Sequence, residues 1–158
     1  MKKFTHIDKT GKAVMVDVSE KPLTQREAVA RGVVTMKKGT LKLILENSIA
    51  KGDVLGMARV AGIMAAKKTP ALIPLCHQLN ISSAAVDFAC DTKKSRVVIE
   101  SRVKVNGQTG VEMEALTAVA TAALTIYDMC KAVDREMVIS DIMLIKKSGG
   151  KSGVFRRR

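Results

Sequence analysis

The 158-residue sequence predicts an α+β chain, and three observations carry that prediction. Apolar periodicity alternates between the two-residue repeat of strands and the three-to-four-residue repeat of helices. The runs follow the order strand, helix, helix, strand, strand, helix, strand. Hydrophobic residues make up 47% of the chain but aromatic residues only 3%, so the core must be built from Ala, Val, Ile, Leu and Met. The length fits one domain of the usual roughly 100–200 residues. We expect a single domain over 1–158, with a loosely ordered N-terminal arm over about residues 1–24 and a flexible basic tail over about residues 147–158.

Each element has its own signal. "REAVARGVVTM" (26–36) gains strand character toward its end. "GTLKLILENSI" (39–49) places Leu41, Ile44, Leu45 and Ser48 at helical spacing. Lys51 and Gly52 interrupt, and Asp53 is a suitable N-cap for "VLGMARVAGIMAAKK" (54–68), which stops before Pro70. "TPALIPLCHQL" reads as a loop. "NISSAAVDFAC" (80–90) and "SRVVIESRVKV" (95–105) are strands joined by a "DTKK" turn, and Asn106-Gly107 ends the second. A long helix runs over roughly 110–132, with Thr109 and Glu112 in capping-box spacing. "REMVISDIMLIKK" (135–147) is the last strand. Helices on one face of an antiparallel sheet are the α+β solution, and the ferredoxin-like split βαβ is its commonest form. One helix is then extra to that plan.

The net charge is +12, but half of it sits in the last thirteen residues, where Lys146, Lys147, Lys151, Arg156, Arg157 and Arg158 stand without an acid. A basic excess implies an anionic partner or a solvated surface. One Tyr, three Phe and no Trp leave few stacking platforms, which argues against a single-stranded nucleic-acid binder. The three cysteines, Cys76, Cys90 and Cys130, are odd in number and far apart, which suggests neither a disulfide framework nor a cysteine-rich zinc site. No apolar run of signal-peptide length follows "MKKFTHID", and no window approaches the length of a membrane span. A soluble cytoplasmic protein is expected.

Several residues carry chemistry. "LIPLCHQL" (72–79) sets Cys76 and His77 in an apolar, proline-marked run, either as a packed loop with a satisfied histidine or as the lining of a site. A metal pair there is disfavoured, because adjacent side chains seldom point at one ion, and no further ligand spacing is visible. No Walker-type loop or G-x-G-x-x-G is present. The middle of the long helix, "ALTAVATAAL", is small and apolar on all sides, so a sheet and a second subunit could each cover a face. Asp128 and Lys131 share a face of that helix, either as a surface ion pair or as a partly buried acid–base pair. The capping box accounts for Glu112, but Glu114 has no such role. Fourteen residues separate Glu114 from Asp128, about 21 Å at 1.5 Å per residue. If both ends are functional, a second chain must complete the site through symmetric pairing. Lys51, beside a helix N-terminus, could meet a phosphate or simply be solvated. Arg26, beside Glu27, is equally open. The tail "KKSGGKSGVFRRR" is either a solubilising segment or a cationic flap over an anionic ligand.

Taken together, "THID", "MVDVSEKPLTQREAVARG", "LIPLCHQL", "GVEMEALTAVATAALTIYDMCKAVD" and "KSGGKSG" resemble the cyclic pyranopterin monophosphate synthase family, the C proteins of molybdenum-cofactor biosynthesis. The resemblance covers nearly the whole chain. It implies a ferredoxin-like fold and a hexamer built as a trimer of dimers, with active sites between subunits. It implies a phosphorus–oxygen lyase that converts 3′,8-cyclised 7,8-dihydro-GTP to cyclic pyranopterin monophosphate with release of pyrophosphate. No obligatory cofactor is implied, though Mg²⁺ can accompany the triphosphate. No metal site, nucleic acid or membrane is implied. By resemblance Asp128 is the catalytic aspartate, Lys131 its partner and Lys51 a second essential lysine. Leu75, Cys76, His77, Met113 and Glu114 fall on the substrate, and Arg26, Lys51 and Lys147 are candidates for stabilising pyrophosphate. Glu112 and Glu114 could accept hydrogen bonds from the guanidine-like edge of the base. The rival readings are a basic nucleic-acid binder and a non-catalytic ligand-binding oligomer.

Overall fold

The computed structural model describes Ile7 and residues 10–158. Thr5, His6 and Asp8 of the "THID" stretch lie outside the described residues. The chain forms β1 (Thr24–Thr35), α1 (Lys38–Leu45), α2 (Val54–Lys67), α3 (Thr69–Leu72), β2 (Ile81–Asp91), β3 (Arg96–Gly107), α4 (Glu112–Cys130), β4 (Val138–Ser148) and β5 (Phe155–Arg156). The sheet order is β2-β3-β1-β4-β5, with every neighbouring pair antiparallel. The helical segment between β1 and β2 skips over β3, and α4 carries the chain from β3 past β1 to β4. This is the expected α+β, ferredoxin-like arrangement.

Alternation along β3 explains which face is covered. Val97, Ile99, Ser101, Val103 and Val105 are buried on one side, while Arg96, Val98, Glu100, Arg102 and Lys104 point the other way. Ala28, Ala30 and Val34 of β1 join the same inner side. Gly32 belongs with them: a Cβ there would lie 2.6 Å from Val119 Cγ1 and 3.2 Å from Ile142 Cγ1. Ala115, Ala118, Ala122 and Ala123 of α4 answer these small residues from above. A core with few aromatics is thus used to bring a helix close to a sheet. Ser101 ties the two layers by donating to the Ala115 carbonyl at 2.7 Å.

Helix α2 packs beside α4 in the same way. A Cβ at Gly62 would meet the Ala118 carbonyl oxygen at 2.9 Å and Ala122 Cβ at 3.4 Å. Asp53 caps α2 as expected, accepting from the Gly56 N–H at 2.9 Å. Two elements differ from the sequence reading. Helix α1 stops at Leu45, because Glu46 and left-handed Asn47 turn the chain, so Ser48 lies beyond it and Leu45 is exposed. The stretch read wholly as loop opens with α3, a single turn with Pro70 near its start, where the missing N–H costs nothing.

Asp134, in the connection from α4 to β4, is fully buried as a side chain. It accepts from the Lys37 N–H at 2.8 Å, the Thr40 hydroxyl at 3.1 Å and the Glu136 N–H at 3.1 Å. Burial pushes its pKa up, but these donors, with the Lys37 charge, outweigh that and hold it below the ordinary carboxylate value. A carboxyl depressed in the folded state stabilises above its unfolded pKa and loses that contribution as pH falls through the folded one. Asp134→Ala should therefore cost about 1–3 kcal/mol in chemical denaturation at neutral pH. The gap from the parent protein should narrow as the pH drops below about 4. An equal midpoint for the two proteins at neutral pH would show that the buried carboxylate is not a stabilising junction.

Candidate functional site

Three residues that the sequence offers separately meet at the C-terminal end of α4. Lys51 Nζ donates to Asp128 Oδ2 and to the Asp128 backbone carbonyl, both at 2.9 Å. Lys131 Nζ lies 2.6 Å from Asp128 Oδ1. Asp128 is thus a carboxylate shared by two ammonium groups, one from its own helix and one from the turn before α2. Of the two readings of the Asp128–Lys131 pair, the surface ion pair is the one found, because Asp128 is 57% exposed at its side chain. Its pKa is lowered. Hydrogen bonds from Lys131 and Lys51, with their charges, bring it down to about 2. Lys51 is also not aimed at a phosphate on the α2 N-terminus, since Asp53 fills that position.

The other end of α4 opens into a cleft of about 510 Å³. Leu75, Cys76 and His77 form one wall, and Glu112, Met113 and Glu114 form another. Val16 and Val18 of the N-terminal arm close the third. His77 Nε2 donates to the Val16 carbonyl at 2.7 Å; a carbonyl can only accept, so this nitrogen carries a proton. The "LIPLCHQL" frame is therefore the lining of a cleft, and its histidine is fixed by the arm. Glu114 is 3% exposed. Burial, and then the neighbouring Glu112 charge, raise its pKa, while a backbone hydrogen bond opposes them. Burial and Glu114 also push the Cys76 thiol up, so it behaves as an apolar wall and not as a nucleophile.

A second depression of about 610 Å³ continues from the first, sharing Lys21, Thr109, Gly110 and Glu112 with it. Arg26, Lys147, Lys151 and Ser152 complete its lining. Here the capping box is corrected. Helix α4 starts at Glu112, its N-cap is Val111, and no side chain caps it. Thr109 sits too early, and the Glu112 carboxylate folds back over Gly110 toward Lys147, whose Nζ lies 3.9 Å from Oε1. Lys147 belongs to β4, which runs to Ser148, and Phe155–Arg156 then pairs back on Lys146 and Lys147.

All eleven candidate residues thus fall in two places, and one chain does not unite them. Asp128, Lys51 and Lys131 stand at one end of α4, and the others gather around its start. The arm residues Val16, Val18 and Lys21, and Lys151 in the tail, escaped residue-level reading. Their polar, punctuated surroundings carry no periodicity, and only the "MVDVSEK" and "KSGGKSG" blocks pointed to them.

A family model described as the MoaC family matches residues 15–150. The chain belongs to the MoaC family. A protein of Pelotomaculum thermopropionicum named cyclic pyranopterin monophosphate synthase is 63% identical over 158 residues, covering 100% of this chain and 93% of that protein. Proteins of the same name from Clostridium acetobutylicum and Thermoanaerobacter sp. strain X514 are 60% and 61% identical over 154 residues. Each alignment covers 98% of this chain, and 96% and 98% of those two proteins. All the candidate residues from Arg26 to Lys147 lie inside the span matched to the MoaC family.

The shared carboxylate makes a pH prediction. Titration of Asp128 followed by NMR should give a midpoint of about 2. Because the value is depressed, both lysine contacts persist at neutral pH and loosen only as the pH falls toward that midpoint. A midpoint at the ordinary aspartate value would mean that the two lysines do not hold the carboxylate in solution.

Proposed function

We propose that this protein converts 3′,8-cyclised 7,8-dihydro-GTP to cyclic pyranopterin monophosphate, releasing pyrophosphate, in the biosynthesis of the molybdenum cofactor. The reading makes it a phosphorus–oxygen lyase of the cytoplasm. Family membership supports it, and so do relatives that share the name cyclic pyranopterin monophosphate synthase. The observation that carries it is the presence of the Lys51–Asp128–Lys131 cluster at one end of α4 and, at the other end, of a cleft that divides into an apolar, acid-edged part and a cationic part.

The chemistry fits this division. The apolar walls of Leu75, Cys76 and Met113 suit the purine-derived rings, with His77 at their edge. Glu112 and Glu114 suit the amino-bearing edge of the base. Arg26 and Lys147 lie where a triphosphate would extend. Two changes are needed. Water opens the imidazole portion of the purine, and the pterin ring re-forms through proton transfers. A sugar-derived hydroxyl oxygen attacks the α-phosphorus, the bond from that phosphorus to the oxygen bridging to the β-phosphate breaks, and pyrophosphate departs with that oxygen. Asp128 and its two lysines are the acid–base group: a carboxylate between two ammonium ions holds protons at fixed positions and can pass them on. Arg26, Lys147 and Lys51 neutralise the developing charge on pyrophosphate. No resident cofactor takes part in this reading, and Mg²⁺ would arrive with the triphosphate.

One chain holds the two halves apart, so a second chain supplies the missing half. Helices α2 and α4 run antiparallel: Lys51 meets Asp128, Gly62 meets Ala118, and His77 shares a cleft with Glu112. On the side turned from the sheet, Met57, Val60, Met64 and Leu124 are exposed, forming an apolar stripe between the two half-sites. A two-fold pairing across that stripe would set the lysine–aspartate cluster of one chain against the cleft of the other. The hexamer, as a trimer of dimers, is the assembly that the family resemblance implies for three such pairs.

Single-turnover incubation with the cyclised GTP, followed by phosphorus NMR and mass spectrometry, should show pyrophosphate and a cyclic phosphate. Lys51→Ala and Asp128→Ala should lose roughly 10²–10⁴-fold in rate while still assembling. A wild-type protein that binds the substrate without converting it would overturn the reading. Mixing unfolded Lys51→Ala and Glu112→Ala chains one to one and refolding them together should restore activity to roughly a quarter of the wild-type sites. No recovery from verified mixed dimers would place the whole site within one chain.

A further inference from the structure

We propose that Gly52 is a positioning residue: its left-handed backbone aims Lys51 at Asp128 and so holds the acid–base group in place. The catalytic half of that statement rests on the function proposed above; the geometric half does not. Lys51 Nζ makes two bonds at once, to Asp128 Oδ2 and to the Asp128 backbone carbonyl, both at 2.9 Å. The two side chains are 47% and 57% exposed. Exposed ion pairs hold their partners weakly, because water competes for the charges and a long lysine stem loses rotamer freedom on being fixed. The side chain by itself therefore gives little reason for a double contact. Lys131 needs no further device, since it lies one turn beyond Asp128 on the same helix end. Lys51 comes from another part of the chain, so the backbone that carries it must supply the aim.

The connection from α1 to α2 is anchored at both ends. Helix α1 closes through Asn47, whose φ is +51°. The Asn47 N–H donates to the Ile44 carbonyl at 3.1 Å and the Ser48 N–H to the Leu43 carbonyl at 2.8 Å, a Schellman closure. Ile49 follows and is buried in the core. On the far side Asp53 caps α2, and Val54 is buried. Between these anchors, residues 49 to 52 make one tight turn with Lys51 as its third residue. The Gly52 N–H closes it by donating to the Ile49 carbonyl at 2.9 Å. Gly52 has a φ of +93°. Its surroundings are open, with nothing within 4 Å of a Cβ built there. Lack of room is thus not why glycine stands at this position, in contrast to Gly32 and Gly62. What glycine supplies is the left-handed backbone. A residue that returned to negative φ would re-route a four-residue turn between two fixed anchors. Lys51, bonded directly to Gly52, would swing away from the end of α4.

The test reads Asp128 by NMR titration of the full chain without substrate. Lys51→Ala, which removes the ammonium, sets the upward shift in the Asp128 midpoint that loss of this contact produces. Gly52→Val should give about half of that shift or more, because a β-branched side chain strongly disfavours positive φ. Gly52→Asn should keep the midpoint near that of the parent, because asparagine enters the left-handed region readily. The double variant Lys51→Ala/Gly52→Val should titrate as Lys51→Ala alone, because Gly52 acts through Lys51. Thermal melts confirm folding; if the valine variant does not fold, Gly52→Ala makes the same comparison with a methyl that meets no neighbour. With the cyclised GTP, Gly52→Val should lower kcat about tenfold or more with KM within about twofold, and Gly52→Asn should recover most of the rate. The proposal falls if the folded valine or alanine variant titrates as the parent does, if asparagine does not recover what valine loses, or if the double variant shifts Asp128 further than Lys51→Ala. An Asp128 midpoint that follows residue 52 in a protein unable to convert the cyclised GTP would uphold the positioning and overturn only the assigned reaction.

Discussion

The close approach of α4 to the sheet is the constraint on which the rest depends. Alanines on the helix face Ala28, Ala30 and Gly32 on β1, and the Ser101 hydroxyl bonds directly to the helix backbone. Such an interface has little slack, because each contact involves backbone or Cβ atoms and not long side chains that could re-pack. The axis and rotation of α4 are therefore fixed. Its two ends carry the two chemically distinct groups of residues, so their separation is fixed as well. A rigid spacer of this kind holds the two groups of residues apart within one chain, and that separation is why the proposed reaction is read as needing a second copy.

The positive charge of the chain acquires meaning from where it is spent. Asp128 accepts two lysines, and Glu27 accepts Lys146 at 2.9 Å with Arg102 and Lys104 at 3.6 Å. Hydrogen bonding from Lys146, against the cost of burial, keeps the Glu27 carboxyl below its ordinary pKa. These contacts neutralise cations locally on the open face of the sheet and at the α4 C-terminus. What remains uncommitted around the cleft lies at the two ends of the chain, in Lys21 and the tail. A bulk value of +12 therefore says little about nucleic acid, and more about how one cleft collects charge from distant segments.

Much of the scaffold was legible before any coordinates. The period of β3 was strong because alternate residues along it are buried, and α4 stood out as a long run of small apolar residues. The Asp53 cap was visible because its geometry is local. The capping box on α4 misled, because a Thr-x-x-Glu pattern cannot reveal that Glu112 has a longer-range partner in Lys147. Helix α1 was drawn too long, since Asn47 breaks it through a left-handed backbone that no periodicity reports. The arm and tail were the least legible, because their structure comes from contacts with elements far away in sequence.

The sequence by itself determined the α+β order, the small-residue core, the placing of Asp128 and Lys131 on one helix face, and the length argument that sets two clusters apart; Lys51 joined that pair only through the family resemblance. Those features depend on residue type and local spacing, which the chain carries directly. Tertiary structure alone decided that Lys51 and Lys131 share one carboxylate, and that this carboxylate is exposed and strongly acidic. It also decided that His77 is anchored by the N-terminal arm, and that Lys21 and Lys151 meet at one cleft from opposite ends of the chain. Partners separated by 61 to 77 residues are brought together only when the sheet and α4 pack, so no local pattern could encode them.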